Sequence, residues 1–162
     1  MNALKNPFEK VRPKMVAARI EFIGQLAKFS KQALAQEPTG TEWSPLQLAH
    51  HLYITDGMAL EQMRCVQDED NPLIPDLGEL SPRLTRASES PVSLNAVLAG
   101  MAARREEIFE YLSTLPVEAW ERPFRSERWG GQRKFYQLVN VLPMHDKQHA
   151  EQLTTLKMIV EE

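Results

Sequence analysis

The sequence is poor in the features that mark disulfide-bonded, membrane-spanning or nucleic-acid-binding proteins. One cysteine, Cys65, stands among 162 residues, which excludes an internal disulfide and any zinc cluster built on thiolates; it is expected to act as a small core residue. No apolar run approaches the roughly 20 residues that cross a bilayer, and the first residues lack the apolar centre of a signal peptide. The chain is therefore expected to be cytoplasmic and to have no membrane partner. Basic residues do not gather on one segment and the formal net charge is −3, so the electrostatic footprint of a nucleic-acid binder is missing. Lys10, Arg12, Lys14 and Arg19 read as a solvated helix face. Internal repeats, low-complexity tracts and convincing strand patterns are missing as well. What is present is 43% hydrophobic content, enough to build the core of one domain over residues 1–162.

That content is arranged with helical spacing. Met15, Ala18, Phe22, Leu26 and Phe29 predict a first helix from about Pro13 to Gln36. Ser44-Pro45-Leu46-Gln47 is a start signal, with a serine cap, a first-turn proline and a glutamine to reciprocate the cap. The second helix follows to about Gln67 on Leu48, Leu52, Ala59 and Met63, with Thr55 inside the stripe. Asp68 to Ser90 holds three prolines and Gly78 without a sustained period, and is expected to be a long connection. Ser90-Pro91 then opens a third helix through Leu94, Leu98, Met101, Ile108, Leu112 and Leu115, its seam interrupted by Arg105. Arg105 is expected to pair with a buried carboxylate or reach solvent, in preference to anchoring an anionic substrate. Val117 to Glu121 reads as a short turn, and Pro123 to Gly131 as a loop in which Trp129 is expected to pack, in preference to lining the mouth of the site. The fourth helix runs from about Gln132 to Val160, with a kink or break expected at Pro143. Four amphipathic helices make an all-α four-helix bundle.

The fourth helix carries the residues that suggest chemistry. Its seam reads Phe135, Leu138, Leu142, His145, His149, Gln152, Leu156, Ile159, apolar at both ends and polar in the middle. Buried imidazoles need partners, and His145 and His149, one turn apart, can share a metal ion. The remaining histidines, His50 and His51, lie on the second helix. His51 falls about 100° from Leu52, at the edge of the buried stripe, and His50 roughly 160° away on the outer side. His51 lies about 10 Å into its helix and His149 about 16 Å from the end of the fourth, so the two are level if these helices are antiparallel. A long crossover between helices two and three, leaving those two parallel, allows that pairing. Three neutral imidazoles leave positions open for water or substrate, as in catalytic sites. Imidazole suits zinc, nickel, copper or iron. Gln152, one turn past His149, is placed to orient a ligand or a bound water by hydrogen bonding. Asp56 and Glu61 are expected to be solvated, and nothing in the spacing requires Tyr53 at the site.

Trp43-Ser44-Pro45, His51-Leu52 and a final His145-x-x-x-His149-x-x-Gln152 resemble the DinB-like (DinB/YfiT) superfamily of four-helix bundles, and the element order matches along essentially the whole chain. The resemblance implies an up-down-down-up bundle, and maps the family's one-plus-two histidine metal site onto His51, His145 and His149. It further implies a divalent metal, zinc or nickel foremost, and a homodimer. The expected activity is a transferase using a low-molecular-weight thiol with a small-molecule substrate. The alternatives are a metal-dependent hydrolase, or a non-catalytic, stress-associated dimeric bundle with a structural metal. The chain departs from the pattern in its doubled His50-His51, and in Gln148, where many relatives carry a second histidine.

Overall fold

The computed structural model describes residues 6–37, 43–76 and 93–160. Four long helices, α1 (Pro7–Leu26), α3 (Pro45–Asp68), α4 (Leu94–Ser113) and α5 (Phe135–Val160), form the bundle, and a single turn, α2 (Lys31–Leu34), follows α1. Their starts follow capping chemistry. Asn6 accepts from the Phe8 amide with Pro7 in the first turn, Ser44 and Gln47 form a complete capping box, and Ser93 accepts from the Ala96 amide; each satisfies a donor that the first helical turn leaves free. The first helix therefore begins at Pro7, not Pro13, because Asn6-Pro7 supplies a cap and a first-turn proline together. It ends at Leu26, and Ser30 caps the short α2 that replaces its expected continuation. The expected cap at Ser90-Pro91 lies outside the described residues, and Ser93 opens α4. α5 runs as one helical span through Pro143, whose missing N–H leaves one rung of the hydrogen-bond ladder unmade.

Helix directions follow from which residues share a core. One apolar cluster joins Val11 and Met15 of α1 to Met63 and Val66 of α3, Ile108 and Leu112 of α4, and Phe135 and Leu138 of α5. The other joins Phe22 and Leu26 to Leu48 and Leu52, Val97 and Met101, and Leu153 and Leu156. Rising numbers in α1 and α5 thus run against rising numbers in α3 and α4. The bundle is up-down-down-up, with α3 and α4 parallel and the 69–93 crossover between them, as expected. Arg104 of α4 lies so close to Gly57 of α3 that a β-carbon there would collide with its guanidinium.

One correction concerns residues 123–134. A three-stranded sheet, β1 (Leu73–Ile74), β2 (Pro123–Ser126) and β3 (Gln132–Lys134), closes the α5-start end of the bundle. β1 runs parallel to β2 and β3 antiparallel to it, with Ile74 opposite Ser126 and Phe124 opposite Arg133. Phe124 points into the first cluster together with Ile74 and Trp120 of the 3-10 turn Val117–Glu121. Strands of two to four residues carry too few inward positions for an alternating pattern to show.

Between the two clusters lies a layer of charge. Arg19, Asp56, Arg105 and Asp146, one from each long helix, are all buried. Arg19 Nη2 donates to Asp56 at 2.9 Å and to Asp146 at 3.1 Å, and Arg105 Nη2 reaches both carboxylates at 3.1 Å. Arg19 and Asp56 are thus not solvated as expected, whereas Arg105 pairs with buried carboxylates. Two cations and two anions cancel, which is the condition under which such groups are tolerated in a core.

Candidate metal centre

His51 reaches the bundle interior from the second turn of α3, and His145 and His149 from the middle of α5. One candidate ligand nitrogen from each falls within 4.8 Å of the others. The ring centroids are 4.4 Å apart for His145 and His149, 5.1 Å for His51 and His149, and 5.6 Å for His51 and His145. Antiparallel α3 and α5 make this possible. Trp43, just before the α3 cap, packs its ring 4.7 Å from that of His51 and limits the rotations open to it.

The hydrogen bonds fix much of the protonation pattern. Nδ1–H of His149 donates to Oε1 of Gln152 at 2.8 Å, since an amide oxygen can only accept. Nε2 of a neutral His149 is then the lone-pair nitrogen, and it lies 2.9 Å from Nε2 of His145. Gln152 thus orients His149 from one turn away, the role expected of it. Burial, followed by the nearby His149 and His145, pushes the His51 imidazole down to about 3. His145 is pushed down to about 4, by burial first and then His149, with Arg128 and Arg19 adding to the effect and Asp56 opposing it. Both rings are neutral at pH 7, so their lone pairs are available. Arg19 moves the other way: burial works against its charge, but Asp56 and Asp146 outweigh that and raise it.

These residues fit a divalent cation. Nδ1 of His51 is buried without a hydrogen-bond partner among the described residues, and a buried nitrogen in that condition is costly unless something binds in the site. The close Nε2 pair of His145 and His149 shares a single proton, in whose place a cation would satisfy both nitrogens. The centre opens into a cavity of about 590 Å³ between α3, α5 and the β2–β3 hairpin. Its walls are apolar at Met58, Ile74, Phe124 and Leu142, with Gln148 and Arg128 among the polar groups.

Over residues 15–153 the chain matches the family model of the DinB superfamily. It belongs to that superfamily. No curated protein matches the sequence. Among solved structures, YfiT from Bacillus subtilis, described as a probable metal-dependent hydrolase with an unusual four-helix bundle topology, superposes with a TM-score of 0.76 at 15% identity, covering 97% of this chain and 89% of that one. The four-helix bundle protein TT2238 gives a TM-score of 0.65 at 16% identity, with 91% and 98% covered. At such identities the likeness establishes the fold alone.

Within this DinB bundle, several other residues sit differently from expectation. His50 is half-buried and stacks on Tyr53 at 6.0 Å. Tyr53 carries the Arg104 guanidinium over its ring and accepts from Arg104 Nη2 at 2.9 Å, so it braces α3 against α4. Trp129 lines the cavity; the packing role expected of it is corrected. Ile159, placed at the end of the seam, is 49% exposed. Cys65 is half-buried at the core rim. The charged layer escaped the sequence reading except at Arg105. Its signal was present: Arg19, Asp56 and Asp146 each stand four residues after a core position, at Met15, Leu52 and Leu142.

Proposed function

We propose that this DinB-superfamily protein is a divalent-metal-dependent enzyme in which His51, His145 and His149 hold the ion, zinc or nickel, at the floor of the cavity, and a small electrophilic substrate is attacked there. The observation that carries this reading is the convergence of three imidazoles from two helices on one point that also opens to a cavity. Sites that serve only as staples are closed by a full set of protein ligands, whereas three ligands leave room for reactants. The bound ion would supply acidification of a water or thiol nucleophile and polarisation of the substrate.

The chain's own residues supply the rest. Gln152 holds His149 in the tautomer whose Nε2 lone pair faces the centre, Trp43 restrains His51, and the apolar stretches of wall place low-dielectric surface beside the centre, which strengthens electrostatic interactions there. With water as nucleophile the reaction is hydrolysis, the activity described as probable for YfiT from Bacillus subtilis. With a low-molecular-weight thiol it is S-transfer, which the family resemblance implies. Product analysis with and without added thiol separates the two. A homodimer, also implied by the resemblance, is expected in sedimentation, and a monomer alone would remove it.

The decisive test is metal content by elemental analysis after reconstitution with zinc or nickel. The native chain should retain about one ion per chain, and His149→Ala and His51→Ala should each lose it while keeping the helical circular dichroism of the native protein. A native chain that retains no ion, or variants that retain it fully, would overturn the reading.

A further inference from the structure

The β2–β3 hairpin region carries four arginines, and three of them have structural tasks. Arg122 Nε donates to the Val66 carbonyl at 3.0 Å and its Nη2 to that of Glu69 at 2.7 Å, tying the hairpin to α3. Arg125 Nε donates to the Asn71 carbonyl at 3.1 Å. Arg133 spans the hairpin tip, donating to the carbonyls of Gly130 at 3.2 Å and Trp129 at 3.0 Å. The fourth, Arg128, lines the cavity that holds the histidines and has no hydrogen bond or ion pair among the described residues.

Its placement is built. Gly130 and Gly131 turn the chain with φ of 75° and 68°, a region that costs glycine little and other residues more. Ser126 Oγ accepts from the Trp129 amide at 2.9 Å, and the Ser126 carbonyl accepts from the Gly130 amide at 2.9 Å. The strand before the tip is pinned to β1, where the Glu127 amide donates to the Ile74 carbonyl at 3.0 Å. A tip held by these bonds positions Arg128 and Trp129 at the cavity wall instead of leaving them on a loose loop. The other charged wall residue, Asp76, is engaged in an interaction of its own.

We propose that Arg128 is the specificity-determining residue of this cavity, and that the substrate is a small molecule with an apolar body and a carboxylate that the guanidinium receives. This deepens the proposed function and rests on the cavity being the substrate site. An unpaired guanidinium is suited to a carboxylate by charge and by its forked donors. The apolar walls and the Trp129 ring match a hydrocarbon body. A carboxylate monoanion matches the single positive charge that Arg128 brings to the cavity lining.

The probes are hexanoate and its uncharged counterpart hexanamide, titrated calorimetrically into the metal-free and the zinc-loaded protein, with Arg128→Gln and Arg128→Lys alongside the native chain. Hexanoate should bind about tenfold more tightly than hexanamide in the metal-free protein, the scale of one charge-assisted hydrogen bond. Arg128→Gln should abolish that preference and Arg128→Lys restore part of it. A preference that appears only with zinc and survives in Arg128→Gln would overturn the proposal while leaving the metal reading intact, since the ion would then be the anion's partner. Equal binding of the two probes, or no binding of either, to the native metal-free protein would also overturn it. A hexanoate preference that depends on Arg128 in a chain that retains no zinc would uphold the role of Arg128 and overturn the metal reading instead.

Discussion

Replacing Asp56 by asparagine tests whether the middle of the bundle is held by charge. The substitution keeps shape and removes one negative charge from a layer of two cations and two anions. Asp56 accepts from Arg19 at 2.9 Å and from Arg105 at 3.1 and 3.3 Å, and its side chain is 2% exposed. With it neutralised, Asp146 alone must serve two guanidiniums whose side chains are 9% and 7% exposed. Arg105 already has Nε and Nη1 buried without partners among the described residues, so it has little reserve. Removing one partner of a buried pair costs about 3–5 kcal/mol, mostly through the uncompensated charge left behind. Set against a typical stability of about 5–15 kcal/mol, that is about a fifth or more of the total, or a fall in Tm on the order of 10 °C for a chain of this length.

Urea unfolding followed by circular dichroism measures the cost directly, with an unchanged slope indicating that the unfolded state is not the cause. The companion variant is Asp56→Leu with Arg105→Met, which removes an anion and a cation together. It should be less damaging than the sum of the two single changes, because the layer stays neutral. A cost below about 1 kcal/mol for Asp56→Asn would place the pair in the range of solvated surface bridges and refute the buried-layer argument.

The remaining predictions concern the histidine centre. Gln152→Leu should weaken zinc binding about 10- to 100-fold, since the Nδ1–H of His149 loses the acceptor that fixes its tautomer; competition with a chromophoric chelator reads this, and unaltered affinity would remove Gln152 from the site. The metal-free protein should lose stability as the pH falls below about 6.5. His51 and His145, held near 3 and 4, stay neutral in the folded chain while their unfolded counterparts take up protons, so the stabilisation is complete above about 6.5 and drains away as the pH falls to about 4 for His145 and about 3 for His51. The slope is at most about 1.4 kcal/mol per pH unit for each ring, and denaturation midpoints that do not change between pH 7 and 5 would contradict it. Ser44→Ala should cost about 1 kcal/mol by opening the α3 capping box, and a neutral result in urea would mean the cap is replaceable.

The four long helices were legible because their core positions recur with helical spacing over many turns, and because prolines and capping residues mark several ends. Ser44-Pro45-x-Gln47 placed the start of α3 to the residue. The same rule misplaced α1, where Asn6-Pro7 was a better cap than anything beside Pro13. The hairpin stayed hidden for a different reason. Pro123–Ser126 sends only Phe124 and Ser126 inward, and Gln132–Lys134 is wholly polar, so its existence rests on backbone pairing to β1 and on arginines that bond carbonyls far along the chain. No local pattern encodes such contacts.

The histidines and the charged layer differ in legibility although they share a helix. The seam through Leu138, Leu142, His145, His149 and Gln152 is one valid stripe on α5, facing α3. A second stripe, through Val139, Leu142, Asp146, Ala150 and Leu153, packs against α1, so the buried arc of α5 is wider than a single 3-4 seam. A reading that picks one stripe assigns the other to solvent, and Asp146, next in sequence to a candidate ligand, disappears from view. The remedy is arithmetic across helices. Arg19 lies between Met15 and Phe22, Asp56 between Leu52 and Leu60, Arg105 between Met101 and Ile108, and Asp146 between Leu142 and Ala150, each flanked on both sides by residues of the two apolar clusters. A lone charge at a core position would be a misfit, but four that sum to zero can satisfy one another. Because Asp146 directly follows His145, and Asp56 stands five residues after His51, the layer that joins four helices also limits how far α5 can slip along α3, and so fixes His145 and His149 level with His51.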